Sequence, residues 1–311
     1  MDVLSDILDT FRFRGCLYFT TKFHPPWGVA VPEYNNVVRF HLAISGTCWV
    51  RVGDATEEVQ LMEGDLILIP NGSSHTLHDE PGRSAFSLDE ALRESGFTGE
   101  GIMVLGSGEE ETTDLVCGHF EYDPGYDHPL FEQLPDYIVI RGQDAVEFSW
   151  FNEALKCLAY ESRADRPGGS ASVQRLSEIL FIQAIRVWSR DRQRTGNFVA
   201  AVSDKQIGRS LQKFHADPAG KWSLEQLARV AGMSRTVYVG RFRDLVGMTP
   251  LQYMTTWRIR RAQRMLQDGA DSIEIIAEAA GYESTAAFSR VFKKVTGVGP
   301  SHFRRAHVLA S

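Results

Sequence analysis

Two periods of hydrophobic spacing divide the chain. Over roughly the first 140 residues, short apolar runs alternate with turn residues. Val37 to Ile44, Cys48 to Val52, Val59 to Leu61 and Leu66 to Ile69 read as strands, and Gly46, Gly53-Asp54 and Glu63-Gly64-Asp65 read as the turns between them. Many short strands at this spacing point to a barrel or a sandwich. Farther along, apolar residues recur at helical spacing: Phe148 to Ser162, then Ser172 to Arg192 after Pro167-Gly168-Gly169. In the second of these, Val173, Leu176, Leu180, Gln183 and Val187 form a stripe close to a heptad seam, widened by Ile179, Ile182 and Trp188. The stripe serves either a homodimer or packing against the N-terminal body. Asp204 to His215 reads as a short helix, and Ala216 to Gly220 as a hinge.

From residue 221 onward the pattern repeats itself. Trp222 to Ala228, Ala231-Gly232-Met233-Ser234, Arg241-Phe242 and Gly247 to Pro250 are followed, 49 to 50 residues later, by Ser272 to Ala277, Ala280-Gly281-Tyr282, Phe292 and Gly297 to Pro300. Each copy reads as helix, tight turn, helix. Ser223 and Ser234 are placed to cap helices, and Gly232 and Gly281 to turn the chain where a side chain would be strained. A linking helix from Leu251 to Leu266 buries Tyr253, Met254, Trp257, Ile259, Ala262 and Leu266 and turns Arg258, Arg260, Arg261 and Arg264 outward. Such a helix would hold two recognition helices at a fixed separation.

Charge sharpens this division. The net charge of −7 is unusual for a nucleic-acid binder, but residues 221–311 hold 14 Lys and Arg against 7 Asp and Glu, while the rest of the chain is acidic. A basic module on an acidic body suits DNA binding beside a separate activity. No apolar run approaches a membrane span, and the N-terminus carries no signal core, so a cytoplasmic protein without membrane contact is expected. The four cysteines, Cys16, Cys48, Cys117 and Cys157, are widely spaced, and no disulfide framework is expected.

The repeated segment resembles the DNA-binding domain of the AraC/XylS family of bacterial transcription regulators, over residues 221 to about 305. Ile276-Ala277, Ala280-Gly281-Tyr282, Ser284, Phe288-Ser289-Arg290, Phe292-Lys293-Lys294, Gly297, Pro300 and Phe303-Arg304 carry the likeness. It implies recognition helices at 234–245 and 284–295. In the second, Thr285, Ala286, Ser289 and Arg290 match groove-facing positions; Arg290 suits guanine, and Ala286 suits a thymine methyl. Lys293, Lys294, Arg258 and Arg304 are phosphate candidates. The first helix offers Thr236, Val239 and Gly240, with charge only from Arg235 and Arg243, so apolar contact and DNA shape are expected there. Arg241 serves either phosphate or an intradomain ion pair.

The N-terminal region resembles the cupin-type sensor of AraC-like regulators. The likeness rests on Trp27-Gly28, Phe40-His41-Leu42, Gly46, Cys48-Trp49, the run from Gly64 to His75, and Cys117-Gly118. Cupins often hold a metal through inward histidines, and His75 matches the last ligand of that pattern. His41 lies where such ligands begin, but the His-x-His pair and the glutamate are absent. Cys117 and His119, two apart in a strand, complete a candidate set of His41, His75, Cys117 and His119 for Zn2+ or another transition metal; the alternative is ordinary hydrogen-bonded and buried residues. His24, Trp27 and Trp49 are candidate ligand-pocket residues. Residues 87–114, including the acidic Glu109 to Glu111 run, read as an excursion that covers an opening or as a solvated loop.

The expected architecture is α+β and multidomain. It comprises a cupin-like β-barrel sensor (1–145), a helical linker and dimerisation region (146–220) and an all-α domain with two helix-turn-helix units (221–311). The expected function is sequence-specific control of transcription, modulated by a small molecule or metal. The expected partners are double-stranded promoter DNA, a small-molecule effector, a second copy of the chain and, for an activator, RNA polymerase. The alternatives are a barrel serving only as a dimerisation scaffold and a cupin enzyme fused to a DNA reader. No catalytic residues are expected.

Overall fold

The computed structural model describes residues 2–99, 101–108, 111–123, 128–142, 149–163, 167–191, 197–269 and 271–308. Glu109 and Glu110 of the acidic run, Phe148, Arg192 and the expected domain boundary at 145–146 lie outside the described residues.

The chain opens with helix α1 (Val3–Thr10), capped by the Asp2 side chain. Strands β1 (Arg14–Phe23), β2 (Gly28–Val31), β3 (Val37–Ser45), β4 (Cys48–Val52), β5 (Val59–Leu61), β6 (Leu66–Ile69), β7 (His75–His78) and β8 (Phe86–Ser87) follow. Next come α2 (Leu88–Ser95), β9 (Ile102–Leu105), β10 (Asp114–Glu121), α3 (Pro129–Glu132) and β11 (Ile138–Ile140). The remainder is helical: α4 (Ser149–Arg163), α5 (Gly169–Asp191), α6 (Phe198–Ser203), α7 (Ile207–Ala216), α8 (Leu224–Ala231), α9 (Arg235–Val246), α10 (Pro250–Asp268), α11 (Ile273–Ala279), α12 (Thr285–Thr296) and α13 (Pro300–Val308). These elements form two units, Arg12–Asp191 and a discontinuous one made of Met1–Phe11 and Arg192–Ser311.

The strands do not close into the expected barrel. They form a six-stranded sheet in the order β11-β6-β3-β10-β1-β9 and a five-stranded sheet in the order β5-β4-β7-β2-β8. Both sheets have edges, and most neighbours are antiparallel, with β1–β9 and β2–β8 parallel. The inner faces share one core that includes Val29, Ala43, Val50, Ile67, Ile69 and Leu115. Strand number and spacing are common to sandwiches and barrels; only the closing ladder separates them, and short apolar runs carry no information about it.

The six-stranded sheet is covered on its second face as well. Phe40 and Phe120 pack ring to ring at 5.2 Å, and Phe120 meets Phe181 of α5 at 5.0 Å. This explains why β6 is apolar at every position: Ile67 and Ile69 face the sandwich core, while Leu66 and Leu68 face Leu158 and Leu180. Gly118 belongs to the same packing, since a Cβ there would fall 2.5 Å from the Phe40 ring. Of the expected α5 stripe, Val173 and Leu180 are buried, Leu176, Gln183 and Val187 are half-buried and Ile179 is exposed; Phe181, Ala184 and Ile185 complete the buried face.

Candidate functional site: a helix-turn-helix pair and a cavity in the sandwich

The repeat folds as two helix-turn-helix units built from the same local devices. Ser223 caps α8 through a reciprocal capping box with Gln226, Gly232 ends it at φ +68°, and Ser234 caps α9. Thr249 caps the linking helix α10, with Pro250 in its first turn. In the second unit Ser272 caps α11, Gly281 turns at φ +79°, and Ser284 caps α12. Phe288 and Phe292 are buried with Ile259, Ala262 and Leu266 of α10 and Phe303 of α13.

Burying Phe288 and Phe292 fixes what α12 presents outward. Ala286, Arg290, Lys293 and Lys294 are exposed and recur at i, i+4, i+7 and i+8, while Thr285 and Ser289 flank them half-buried. On α9, Tyr238, Phe242 and Val246 are buried; Arg235, Thr236, Gly240 and Arg243 are exposed, and Val239 is half-buried. Several other cations of this domain have partners within the protein. Arg235 lies 3.3 Å from Glu225, and Arg241 pairs with Asp204 at 2.5 Å. Arg258 donates to the carbonyls of Pro218 and Gly220, both at 2.7 Å, and Arg304 donates to the Asp271 carbonyl. Arg260, expected outward, is buried and donates to Gln263 at 2.9 Å. Arg258 and Arg304 are thus occupied in holding loops, and the face of α10 is not an open basic stripe. Helical periodicity gives the face of a residue but not the loop carbonyl that the fold brings over it.

The N-terminal helix completes this unit, a feature with no local sequence signal. Asp6 Oδ2 lies 2.7 Å from His215 Nδ1, and His215 Nε2 lies 2.7 Å from the Tyr253 hydroxyl. Phe11 packs against Trp257 at 6.4 Å. Burial, opposed by the Asp6 carboxylate, holds the His215 pKa below the ordinary histidine value.

In the other unit a cavity of about 510 Å³ opens between the sheets. Its lining is mostly apolar, with Phe19, Phe23, Val29, Val31, Leu77 and Leu115 from strands and Leu88, Leu92, Phe97 and Met103 from the 87–114 segment. That segment forms α2 and β9 and walls the cavity. Its polar lining is Thr21, Tyr34, Arg39, His41 and Cys117, and the Arg39 guanidinium sits 4.2 Å from the Tyr34 ring centre. His24, Trp27 and Trp49 do not line it. Trp27 is buried against Phe23 at 4.8 Å, and Trp49 occupies the outward position of a strand whose neighbours Cys48 and Val50 are buried.

The four candidate metal ligands divide between two places. His41 Nδ1 lies 3.1 Å from Cys117 Sγ, His41 Nε2 lies 2.8 Å from His75 Nε2, and His75 Nδ1 lies 2.9 Å from the Ser73 carbonyl. That carbonyl can only accept, so His75 carries its proton on Nδ1, and the assignment of the rest follows. His41 Nε2–H donates to His75, and the Cys117 thiol donates to His41. Every member is neutral. Burial, then the neighbouring His75 and Arg39, pushes His41 well below the ordinary value; burial takes His75 down to about 4 and raises Cys117. Both nitrogens of His41 are therefore committed to protein partners, and these residues as arranged do not fit a cupin-type metal.

His119 stands elsewhere. It pairs across the ladder with Cys16, and its ligand atoms group with those of Cys16 and Glu121. Among the described residues, Cys16, His119 and Glu121 are the one group of three whose ligand atoms all lie within 4.8 Å of one another. The Cys16 thiol donates to Glu121 Oε1 at 3.0 Å, and burial followed by this bond raises its pKa to about 12.

Comparison with known proteins agrees with both halves. A family described as Cupin matches residues 2–190, and one described as Helix-turn-helix domain matches residues 227–306. A putative AraC-like transcription regulator of Streptomyces lividans is 29% identical over 307 residues, spanning 98% of each chain. The HTH-type transcriptional regulator AlkR of Acinetobacter baylyi is 26% identical over 308 residues, spanning 98% of this chain and 99% of its own. The RCS-specific HTH-type transcriptional activator RclR of Escherichia coli is 26% identical over 272 residues, or 86% and 84% of the two chains. Among solved structures, the DNA-binding domain of AdpA in complex with a target DNA covers 34% of this chain and 96% of its own, at 29% identity and TM-score 0.34. No helix among the described residues is long and apolar enough to cross a membrane.

Proposed function

The chain belongs to the AraC/XylS-type transcription regulators, with a cupin domain ahead of its helix-turn-helix domain, and from that membership we propose that it controls promoters through the exposed face of α12 while an apolar small molecule in the sandwich cavity modulates its binding. The DNA reading rests on one observation: α12 holds its aromatic residues inward and leaves Arg290, Lys293 and Lys294 exposed together. Arg290 reads a base edge, with Thr285, Ala286 and Ser289 beside it, and Lys293 and Lys294 neutralise phosphates. On α9, Thr236, Val239 and Gly240 approach the groove without bidentate contacts, flanked by Arg235 and Arg243.

The effector reading rests on the cavity. Its volume lies within the ~300–1,000 Å³ usual for small-molecule pockets, and its mostly apolar lining with a few polar groups suits a largely apolar compound. Sequencing genomic fragments retained by the full-length protein at fixed salt tests the first part; promoter enrichment is expected, and retention no better than random fragments refutes specific recognition. Filling the cavity with Leu92→Trp tests the second. An apolar compound that changes operator affinity in the wild-type protein should lose its effect in this variant, with basal affinity kept.

A second reading makes the N-terminal domain a scaffold for a homodimer. The exposed Tyr160 of α4 and Ile179 of α5 favour it, because they are large apolar side chains left uncovered on the helical layer. Loss of dimer in Ile179→Glu, with no compound altering DNA binding, would select that reading.

A further inference from the structure

The geometry points to a divalent transition-metal site, best suited to zinc, formed by Cys16, His119 and Glu121 on paired strands β1 and β10. Cys16 and His119 face each other across the ladder, and Glu121 follows His119 by two positions on the same face. Cys16 lies in the regular Arg14–Leu17 stretch of this ladder, and the register of β1 against β10 shifts only beyond it, between Leu17 and Phe19.

Zinc ligated at about 2.0–2.3 Å by S, N and O keeps its ligand atoms roughly 3.3–3.7 Å apart in a tetrahedron. The Sγ–Oε1 separation is 3.0 Å and every pair lies within 4.8 Å, so rotamer adjustments of an ångström or so close the site. In the metal-free arrangement a proton holds thiol and carboxylate together. Zinc replaces it: the Cys16 S–H bond breaks, the proton leaves to solvent, and a sulfur–zinc bond forms. Thiolate and carboxylate balance the two positive charges, which matters because Arg39 lies opposite His119 in the neighbouring strand. Cys16 and His119 are half-buried and Glu121 is exposed, so solvent supplies an entry path and the fourth ligand. Bound metal would staple β1 to β10.

The test uses tag-free full-length protein stripped with a chelator, titrated with Zn2+ against a chromophoric competitor and, separately, with Co2+. One equivalent should bind, and Co2+ should give the near-ultraviolet absorption of a thiolate–cobalt bond. Cys16→Ser should abolish that absorption, and His119→Ala and Glu121→Gln should each weaken Zn2+ binding at least tenfold. Cys117→Ser and His41→Ala should bind as the wild type does. Glu121 is exposed, so its variant tests the site without disturbing the core. No saturable binding, unchanged affinity in Cys16→Ser and Glu121→Gln, or loss only in Cys117→Ser and His41→Ala would each overturn the assignment.

Discussion

The two helix-turn-helix units share a plan but differ in what surrounds them and what they offer DNA. The first is braced from several sides: Tyr238 reaches Ser210 of α7 at 3.3 Å, Phe242 packs on Tyr253, and Arg241 is paired with Asp204. The positions proposed to face the groove are the uncharged Thr236, Val239 and Gly240, of which Thr236 and Gly240 are exposed and Val239 half-buried. The second rests on α10 and α13 through Phe288, Phe292 and Phe303, and its exposed face carries Arg290, Lys293 and Lys294. The difference teaches that a duplicated motif can divide labour. On the proposed reading, the copy tied to α7 sets position, and the copy that exposes Arg290, Lys293 and Lys294 discriminates between bases.

The largest expected effect tests the difference in support. Phe292→Ala should cost about 3–5 kcal/mol, and hydrogen exchange should show lost protection in α11 and α12 with α8 and α9 still protected. Equal loss in both would mean one cooperative core and would break the comparison. Next comes the difference in readout. Arg290→Ala should weaken binding to promoter fragments selected by the wild-type protein by about 1–3 kcal/mol, and binding to random DNA by much less. Equal losses would make Arg290 a phosphate contact.

The bracing itself depends on pH. His215 in the first unit's surroundings has a lowered folded pKa, so the unfolded state binds its proton first as acid is added. Its contribution is complete above the unfolded value of 6.5 and is lost as pH falls below it toward the folded value. Thermal melting should show this fall, and His215→Gln should flatten it; an unchanged pH profile would remove His215 as the cause. Smaller still is Gly240→Ala. No atom lies within 4 Å of an added Cβ, so α9 should gain about 0.5–1 kcal/mol. Weaker operator binding in this more stable variant would locate close backbone approach to DNA at the first unit, and unchanged binding would deny it. Lys293→Ala should lower the salt dependence of binding by about one unit of slope, the mildest change.

Much of this was legible in the residues. Strands β4, β5 and β6 and the caps Ser223 and Ser234 lie where the local pattern places them, because caps and short apolar runs act through near neighbours. Sheet closure was not legible, since it depends on pairing between distant strands. Nor was the cavity: Leu88, Leu92, Phe97 and Met103 sit in a stretch rich in glycine and acid, where their spacing was too sparse to mark a wall. The pairing of Cys16 with His119 was hidden because it too is set between distant strands, and the burial of Arg260 by the packing around α10.

Helix α1 leaves the ribosome long before the residues that receive it. Its buried Val3, Leu4 and Ile7, with Phe11 beyond them, belong beside α7 and α10, whose His215, Tyr253 and Trp257 are made some two hundred residues later. Translation therefore imposes a wait in which the sandwich can fold while α1 holds an apolar face without its native cover. The unit that α1 belongs to becomes whole only after α7 and α10 have been made. A nascent chain cut short loses its reader, and a fragment that starts after the sandwich is missing a wall of its own core.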